Sequence, residues 1–324
     1  MTAATVTFIG ADNKVVTTMA DERALYLKMF AGEVLTAFPE YTIFVERHKV
    51  KGATNGKSAQ FPLIGRMPPA EYHVPGEQIL GQEAPLSERV ISIDRLLISH
   101  LFVDNLDEKI SHFEARSELS QNMSRRLAQT YDNHIGRNLI KAANTATAIT
   151  GDSTLAGTVI TDADLGSAVA QTKLTAWVDQ LFTCAETFDD KWVNDGSKWC
   201  ALKPTNYYFL IRNAMSSGYA LIDKDIDGDG SISKGIIRGL AGIRLISFTG
   251  LPTADYTAED FHAVDCLNTV GIVWTKSAVG TVKAFDIGVE TEYKVDRQGT
   301  LIVAKYAMGH DVLQPECSIQ MKTA

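Results

Sequence analysis

Leu27, Phe30, Ala31, Val34, Leu35 and Phe38 recur at the spacing of one helical face. That pattern predicts a helix that opens near Asp21 and is stopped by Pro39. The residues before it (1–20) are polar, rich in Thr and Ala and without period, and read as an extended arm. Residues 41–50 read as a strand, followed by a glycine turn between Gly52 and Gly56. SAQFPLI (58–64) and ERVISID (88–94) read as the two strands of one hairpin, with Pro62 placing the first at a sheet edge. The tip between them (67–86) holds Pro68, Pro69, Pro75, Gly76, Gly81 and Pro85 and no core pattern. A connection that long is uncommon in a compact domain and marks function or contact.

The strongest helix signal covers about 105–144. Asn105 can cap it, with Glu108 at the third helical position of a capping box. Leu119, Met123, Leu127, Tyr131, Ile135 and Leu139 recur every four residues. On a helix of 3.6 residues per turn such a stripe drifts by about 40° per step, so it meets different neighbours along its length. Forty residues would span about 60 Å, a rod around which other parts are hung. Residues 150–163 are rich in Gly and Thr and read as a linker or hairpin. A second helix is expected over about 165–188, with Ala170, Leu174, Trp177, Val178, Leu181 and Ala185 on one face. NYYFLI (206–211), IRLISF (243–248), 270–274, 283–289 and LIVAKYA (301–307) read as strands. In 316–322, Cys317, Ile319 and Met321 alternate with Ser318, Gln320 and Lys322. The class is α+β.

Composition narrows the function. The formal net charge is −8, which argues against the Lys/Arg field that phosphate-backbone binding needs. Basic residues do not cluster with interleaved aromatics, which also excludes nucleic-acid readout. No basic segment followed by an apolar run opens the chain, so no signal peptide is expected. No run of about 18 apolar residues predicts a membrane span. The expectation is a soluble protein made inside the cell. Cys184, Cys200, Cys266 and Cys317 are too far apart in sequence for a zinc knuckle or redox pair and read as free thiols.

Motifs of catalysis are absent or incomplete. KGATNGKS (51–58) has three residues between Gly52 and Gly56 where a phosphate loop has four, and Ser58 leads into a strand rather than a helix. DIDGDGSI (225–232) sets Asp225, Asp227 and Asp229 at positions 1, 3 and 5 of a calcium loop, with Gly230 at position 6. Position 12, which should supply a bidentate Glu, is Ile236, so the loop reads first as an acidic solvated turn. These three aspartates are the weak metal candidates, Ca²⁺ the ion, and no other cofactor is expected. His48, His73, His100, His112, His134, His262 and His310 form neither HExxH nor HxxxH. GDSTL (151–155) fails as a nucleophile elbow at its last position. The acid pairs Asp104–Asp107 and Asp189–Asp190 read as helix-end or solvent charges. The chain is expected not to be an enzyme.

ALYLKMFAGEVLTAF (24–38), GKSAQFPLIGR (56–66), VISIDRLL (90–97), HFEARSE (112–118), YALID (219–223), TKSAVGTVK (275–283) and IVAKYAMGHDVLQPE (302–316) follow one another in that order. As an ordered set they resemble the major capsid proteins of short-tailed phages, podoviruses of the autographivirus type. The likeness covers about half the chain. It is looser over 145–270, leaves out the first twenty residues, and makes 223–235 look like an insertion.

The resemblance implies the HK97-type capsid fold: an N-terminal arm (1–56), an E-loop hairpin (57–92), a peripheral domain (93–150 with 286–324, spine helix about 105–144) and an axial domain (151–285). It implies a structural virion protein that assembles through hexamers and pentamers into an icosahedral head around phage dsDNA. Expected partners are other copies of the chain, a scaffolding protein, a portal protein and a minor capsid or decoration protein, with no sequence-specific DNA binding and no membrane. The expected location is the virion, and the host cytoplasm during assembly. If the 223–235 loop faced a ring centre, three carboxylates from each copy would repel unless a cation sat among them. Two alternatives stand beside this reading: the shell protein of a bacterial nanocompartment, and a calcium-responsive binding module.

Overall fold

The structure is a computed structural model that describes residues 33–34, 37–38, 41–53, 56–67, 70–73, 75–76, 78–79, 81, 85–104, 114–146, 155–213 and 239–324. Strands β1 (Lys49–Gly52), β2 (Ser58–Ile64), β3 (Leu86–Ser92) and β4 (Leu97–Asp104) precede helix α1 (Glu114–Ala143). Strand β5 (Thr158–Thr161), helix α2 (Ala170–Asp190), strand β6 (Lys198–Leu202) and helix α3 (Pro204–Asn213) follow. The chain closes with β7 (Gly239–Leu240), β8 (Ile243–Ser247), β9 (Thr269–Thr275), β10 (Val279–Lys294), β11 (Gly299–Val312) and β12 (Ser318–Lys322). It divides into two units: residues 1–42, 95–131 and 285–308, and residues 43–94, 132–284 and 309–324.

In the first unit β4 pairs antiparallel with β11, from Leu97↔Tyr306 to Asp104↔Gly299. The aromatic rings of Phe38, Tyr131 and Tyr306 meet edge-on, with centroids 5.7–6.4 Å apart, a favoured arrangement of their quadrupoles. The first half of α1 buries one stripe here, Met123, Leu127 and Tyr131, as the four-residue repeat predicts. Leu119, the first member of that repeat, is exposed. Ser120 and Ser124 are buried, their hydroxyls donating to Glu33 and to the Val34 carbonyl. Glu33, Val34, Ala37 and Phe38 are helical, in line with the amphipathic pattern. Tyr41 is helical too, so helical structure does not end at Pro39. The predicted cap at Asn105 lies outside the described residues.

The second unit holds a six-stranded sheet in the order β5-β12-β9-β6-β8-β7. Cys200, Ala201, Leu202, Ile272 and Val273 are fully buried in it. Helix α2 buries Leu174, Trp177, Val178, Leu181, Cys184 and Phe188, close to the predicted face. It starts at Ala170, after a short 3-10 turn at Ala163–Gly166 that takes the place of the first expected helical turn. The second half of α1 is buried on nearly every side: Ile135, Leu139, Ile140, Ala142 and Ala143 are covered, along with Asp132, Arg137 and Asn138.

Two expectations fail here for identifiable reasons. NYYFLI is not a strand but the body of α3. Pro204, with its fixed φ, opens the helix, Lys203 O accepts from the amides of Asn206 and Tyr207, and Asn206, Tyr207, Leu210 and Ile211 make a buried helical face. Residues 41–48 do not form a strand, because the Asp132 carboxylate takes the Ile43 and Phe44 amides (2.9 and 3.4 Å) and the Arg47 amide bonds back to Phe44 O. Only Lys49–Gly52 pairs, parallel to β10. The strand expected at the C-terminal end forms as β12, with Ser318 and Gln320 buried and Lys322 half-buried. Ser318 donates to Leu139 O (2.8 Å), Asn144 Nδ2 donates to Gln320 Oε1 (2.8 Å), and Gln320 Nε2 donates to Thr269 Oγ1 (2.6 Å), so a buried polar seam joins β12 to the end of α1.

Candidate functional site

The hairpin expected between 58 and 94 forms. β2 and β3 pair antiparallel from Ser58↔Ser92 to Ile64↔Leu86 as a separate two-stranded sheet. Its alternation is one-sided. Leu63 and Ile91 turn inward and join Leu155, Val282 and Leu313 in one apolar cluster, with Ala59 and Phe61 packed against it. Ile64, Leu86 and Val90 face outward and are exposed. Pro62, on the outward side, needs no ladder partner for its missing N–H. Beyond the strands Met67, Tyr72 and Ile79 are exposed, Tyr72 completely.

The root of the hairpin is fixed by backbone and charge. Ile93 N donates to Lys57 O and Gly65 N to Pro85 O, each at 2.8 Å. A β-carbon at Gly309 would overlap the Ser92 carbonyl, so only glycine allows that approach. Asp311 lies 3.1 Å from Lys141 on α1 and 3.7 Å from Arg89 on β3. Lys57 takes part through its carbonyl.

Next to this root the fold gathers histidines that the sequence leaves scattered. The rings of His134 and His262 are 4.7 Å apart, those of His262 and His310 5.7 Å, and those of His134 and His310 6.4 Å. His262 Nε2 lies 3.0 Å from Asp94 Oδ2, Asn138 Nδ2 lies 2.9 Å from His262 Nδ1, and the Thr281 hydroxyl is 2.8 Å from His310 Nδ1. Burial, then the neighbouring His262 and Arg137, pulls His134 down to about 3. Burial pulls His48 down to about 4 and holds His310 well below the ordinary histidine value. No sequence motif could have revealed this group, because its members come from a helix, a loop and a strand end. Among the described residues no cluster of His, Cys, Asp or Glu has a metal-binding arrangement. Asp225, Asp227 and Asp229 lie outside the described residues.

A cleft of about 330 Å³ opens by the hairpin, lined by Gly65, Arg66, Lys191, Trp192, Asp195 and Glu316 among others. Its charges already hold the fold. Lys191 Nζ donates to Ala156 O and Thr158 Oγ1 (2.6 and 2.5 Å), Asp195 accepts from the Ser277 amide (2.8 Å), and Arg66 donates to Lys191 O. All four cysteines are buried free thiols. Burial pushes Cys184, Cys266 and Cys317 up to about 12 and Cys200 well upward, which keeps them protonated and poor nucleophiles. Among the described residues no helix is long and apolar enough to cross a membrane.

A 30-residue helix and a two-stranded hairpin whose outward residues Ile64, Leu86 and Val90 are exposed fit a phage shell subunit of the HK97-type fold. The solved capsid of Cyanophage P-SCSP1u superposes with a TM-score of 0.73 at 32% sequence identity, over 87% of this chain and 88% of that one. The chain belongs to the Gp10A-like major capsid protein family, whose profile matches residues 60–322. It is 28% identical to the major capsid protein of Enterobacteria phage T3 over 92% of this chain and 91% of that protein. To the major capsid protein of Escherichia phage T7 it is 29% identical, over 94% and 93%. It is a structural component of a phage head and builds an icosahedral shell, and these likenesses lend no support to the nanocompartment or calcium-module alternatives.

Proposed function

We propose that the chain assembles through hexamers and pentamers, using the β2–β3 hairpin as the E-loop that lies across the neighbouring copy. The observation that carries this reading is the one-sided hairpin, with Leu63 and Ile91 buried and Ile64, Leu86, Val90, Met67 and Tyr72 left to solvent in the single subunit. Exposed apolar groups on so narrow an element gain stability only when a second surface covers them. Rings of head-to-tail contacts then close the shell, each contact weak and the whole stable.

In this reading the arm is 1–56 and the E-loop 57–92. The peripheral domain is 93–150 with 286–324, and the axial domain is 151–285. The head encloses dsDNA without reading its sequence, consistent with the acidic balance of the chain. Assembly takes place in the host cytoplasm with a scaffolding protein, and the finished shell meets a portal protein and a minor capsid or decoration protein. The role is architectural, with no catalytic step.

The test replaces 67–85 by a short Gly/Ser turn and images the product by electron microscopy after co-expression with a scaffolding protein. The expected outcome is a soluble, folded subunit that forms no stable shells. Normal shells from this variant would remove the role assigned to the tip.

A further inference from the structure

We propose that the packed rings of His134, His262 and His310, joined to the hairpin exit through Asp94, form an acid-sensitive latch that holds the hairpin root and the 249–268 loop on α1. This is a property of the single subunit and is independent of how the shell is put together.

The loop is clasped to α1 at successive positions. Asn133 Nδ2 reaches Gly250 O at 3.5 Å, and Gly136 leaves space for Pro252, which would come within 3.1 Å of a β-carbon there. Arg137 stacks 3.5 Å over Tyr256 and pairs with Glu259, and Asn138 meets His262. His262 has a left-handed backbone (φ 53°), a conformation a side-chain-bearing residue keeps only when its surroundings hold it.

The hydrogen bonds suit uncharged rings. Asn138 Nδ2–H donates to His262 Nδ1, and His262 Nε2 lies 3.0 Å from Asp94 Oδ2 without a hydrogen bond between them. Charged groups surround the cluster on every packed element. Arg137 and, one turn on, Lys141 come from α1, together with Asp132, which is directed at the Ile43 and Phe44 amides. Glu259 comes from the loop, Lys283 from β10, and His48, with Lys276 nearby, from the turn before β1. Asp311, next to His310, is engaged by Lys141 and Arg89, and Glu259 by Arg137. Asp94 is therefore the carboxylate placed to balance a proton on the rings. A proton on His134 or His310 sets a new cation among the packed rings, where Arg137 and Lys283 already lie near. The open arrangement takes up protons that the closed one excludes, so acid favours opening. The downward shifts of His134 and His310 have the sign this needs.

Hydrogen exchange of the purified full-length chain, followed by mass spectrometry from about pH 7.5 to about pH 4.5 and corrected for intrinsic rate, tests the latch. Segments 86–94 and 249–268 are expected to lose protection together, at least about tenfold, at a pH where α2 stays protected. His134→Gln and His310→Gln are each expected to move the opening midpoint to lower pH by about half a unit or more, and Asp94→Asn to move it higher. His134 is only partly buried, so its variant carries the test if His310→Gln does not fold. Opening at one pH in wild type and every folded variant, or α2 opening with the loop, would overturn the proposal. Normal shells or their absence bear only on the E-loop reading.

Discussion

The hairpin and the six-stranded sheet use the same strand periodicity to opposite ends. In the sheet, Cys200, Ala201 and Leu202 run consecutively at zero exposure, as do Ile272 and Val273, and all of β12 before Lys322 is buried. Strands covered on both faces need no alternation, and their polar members Ser318 and Gln320 are satisfied internally. In the hairpin every second residue is uncovered, and the buried set shrinks to Leu63 and Ile91. The central strands of the sheet bury their apolar residues within one subunit, whereas the hairpin leaves Ile64, Leu86 and Val90 exposed. In the proposed assembly, that remainder is the surface a neighbouring copy would cover.

The comparison yields graded tests. Trp177→Ala, at a fully buried ring of α2, is expected to cost about 3–5 kcal/mol in denaturant unfolding. A cost near zero would show that this core is not the stable centre. Ile91→Ala, on the inward face of the hairpin, should cost about 2–3 kcal/mol and expose the hairpin to protease before the sheet, because it opens a cavity in the Leu63–Leu155–Leu313 cluster. Lowering pH should act next. The folded-state pKa values of His48, His134 and His310 lie below the ordinary 6.5, so their contribution is complete above about pH 6.5 and is lost as pH falls towards 4. Asp132, raised by burial to about 7, works in the other direction and loses its contribution as pH rises towards 7. Urea midpoints at stepped pH should therefore fall on the acid side, and His134→Gln should flatten the fall. The smallest effect on the subunit belongs to Val90→Ser on the outward face, within about 0.5 kcal/mol, while shell yield by sedimentation drops sharply. Equal losses from Val90→Ser and Ile91→Ala would erase the distinction between the two faces.

Much of this architecture was legible before folding. The repeat from Met123 to Leu139 marked α1 because a long helix must bury a drifting stripe. Two strand runs flanking a Pro- and Gly-rich tip, the first carrying Pro62, marked the hairpin, and the ordered strings at both ends of the chain marked the family. NYYFLI was misread because its aromatic and β-branched residues favour strands, while the start signal, Pro204, acts through backbone geometry. The turn at 43–48 was misread because the group that takes its amides, Asp132, lies some ninety residues away in the chain.

Local pattern by itself determined α1 and α2, the paired strands of the hairpin and the lack of catalytic motifs. These follow from periodicity and residue order, which act over a few positions. Tertiary structure alone decided that Ser318 and Gln320 are buried and satisfied, that Gly309 must be glycine beneath Ser92, and that three histidines from distant positions pack ring against ring beside Asp94. Burial, close approach and charge balance are properties of neighbours in space, and a chain acquires them only when it folds.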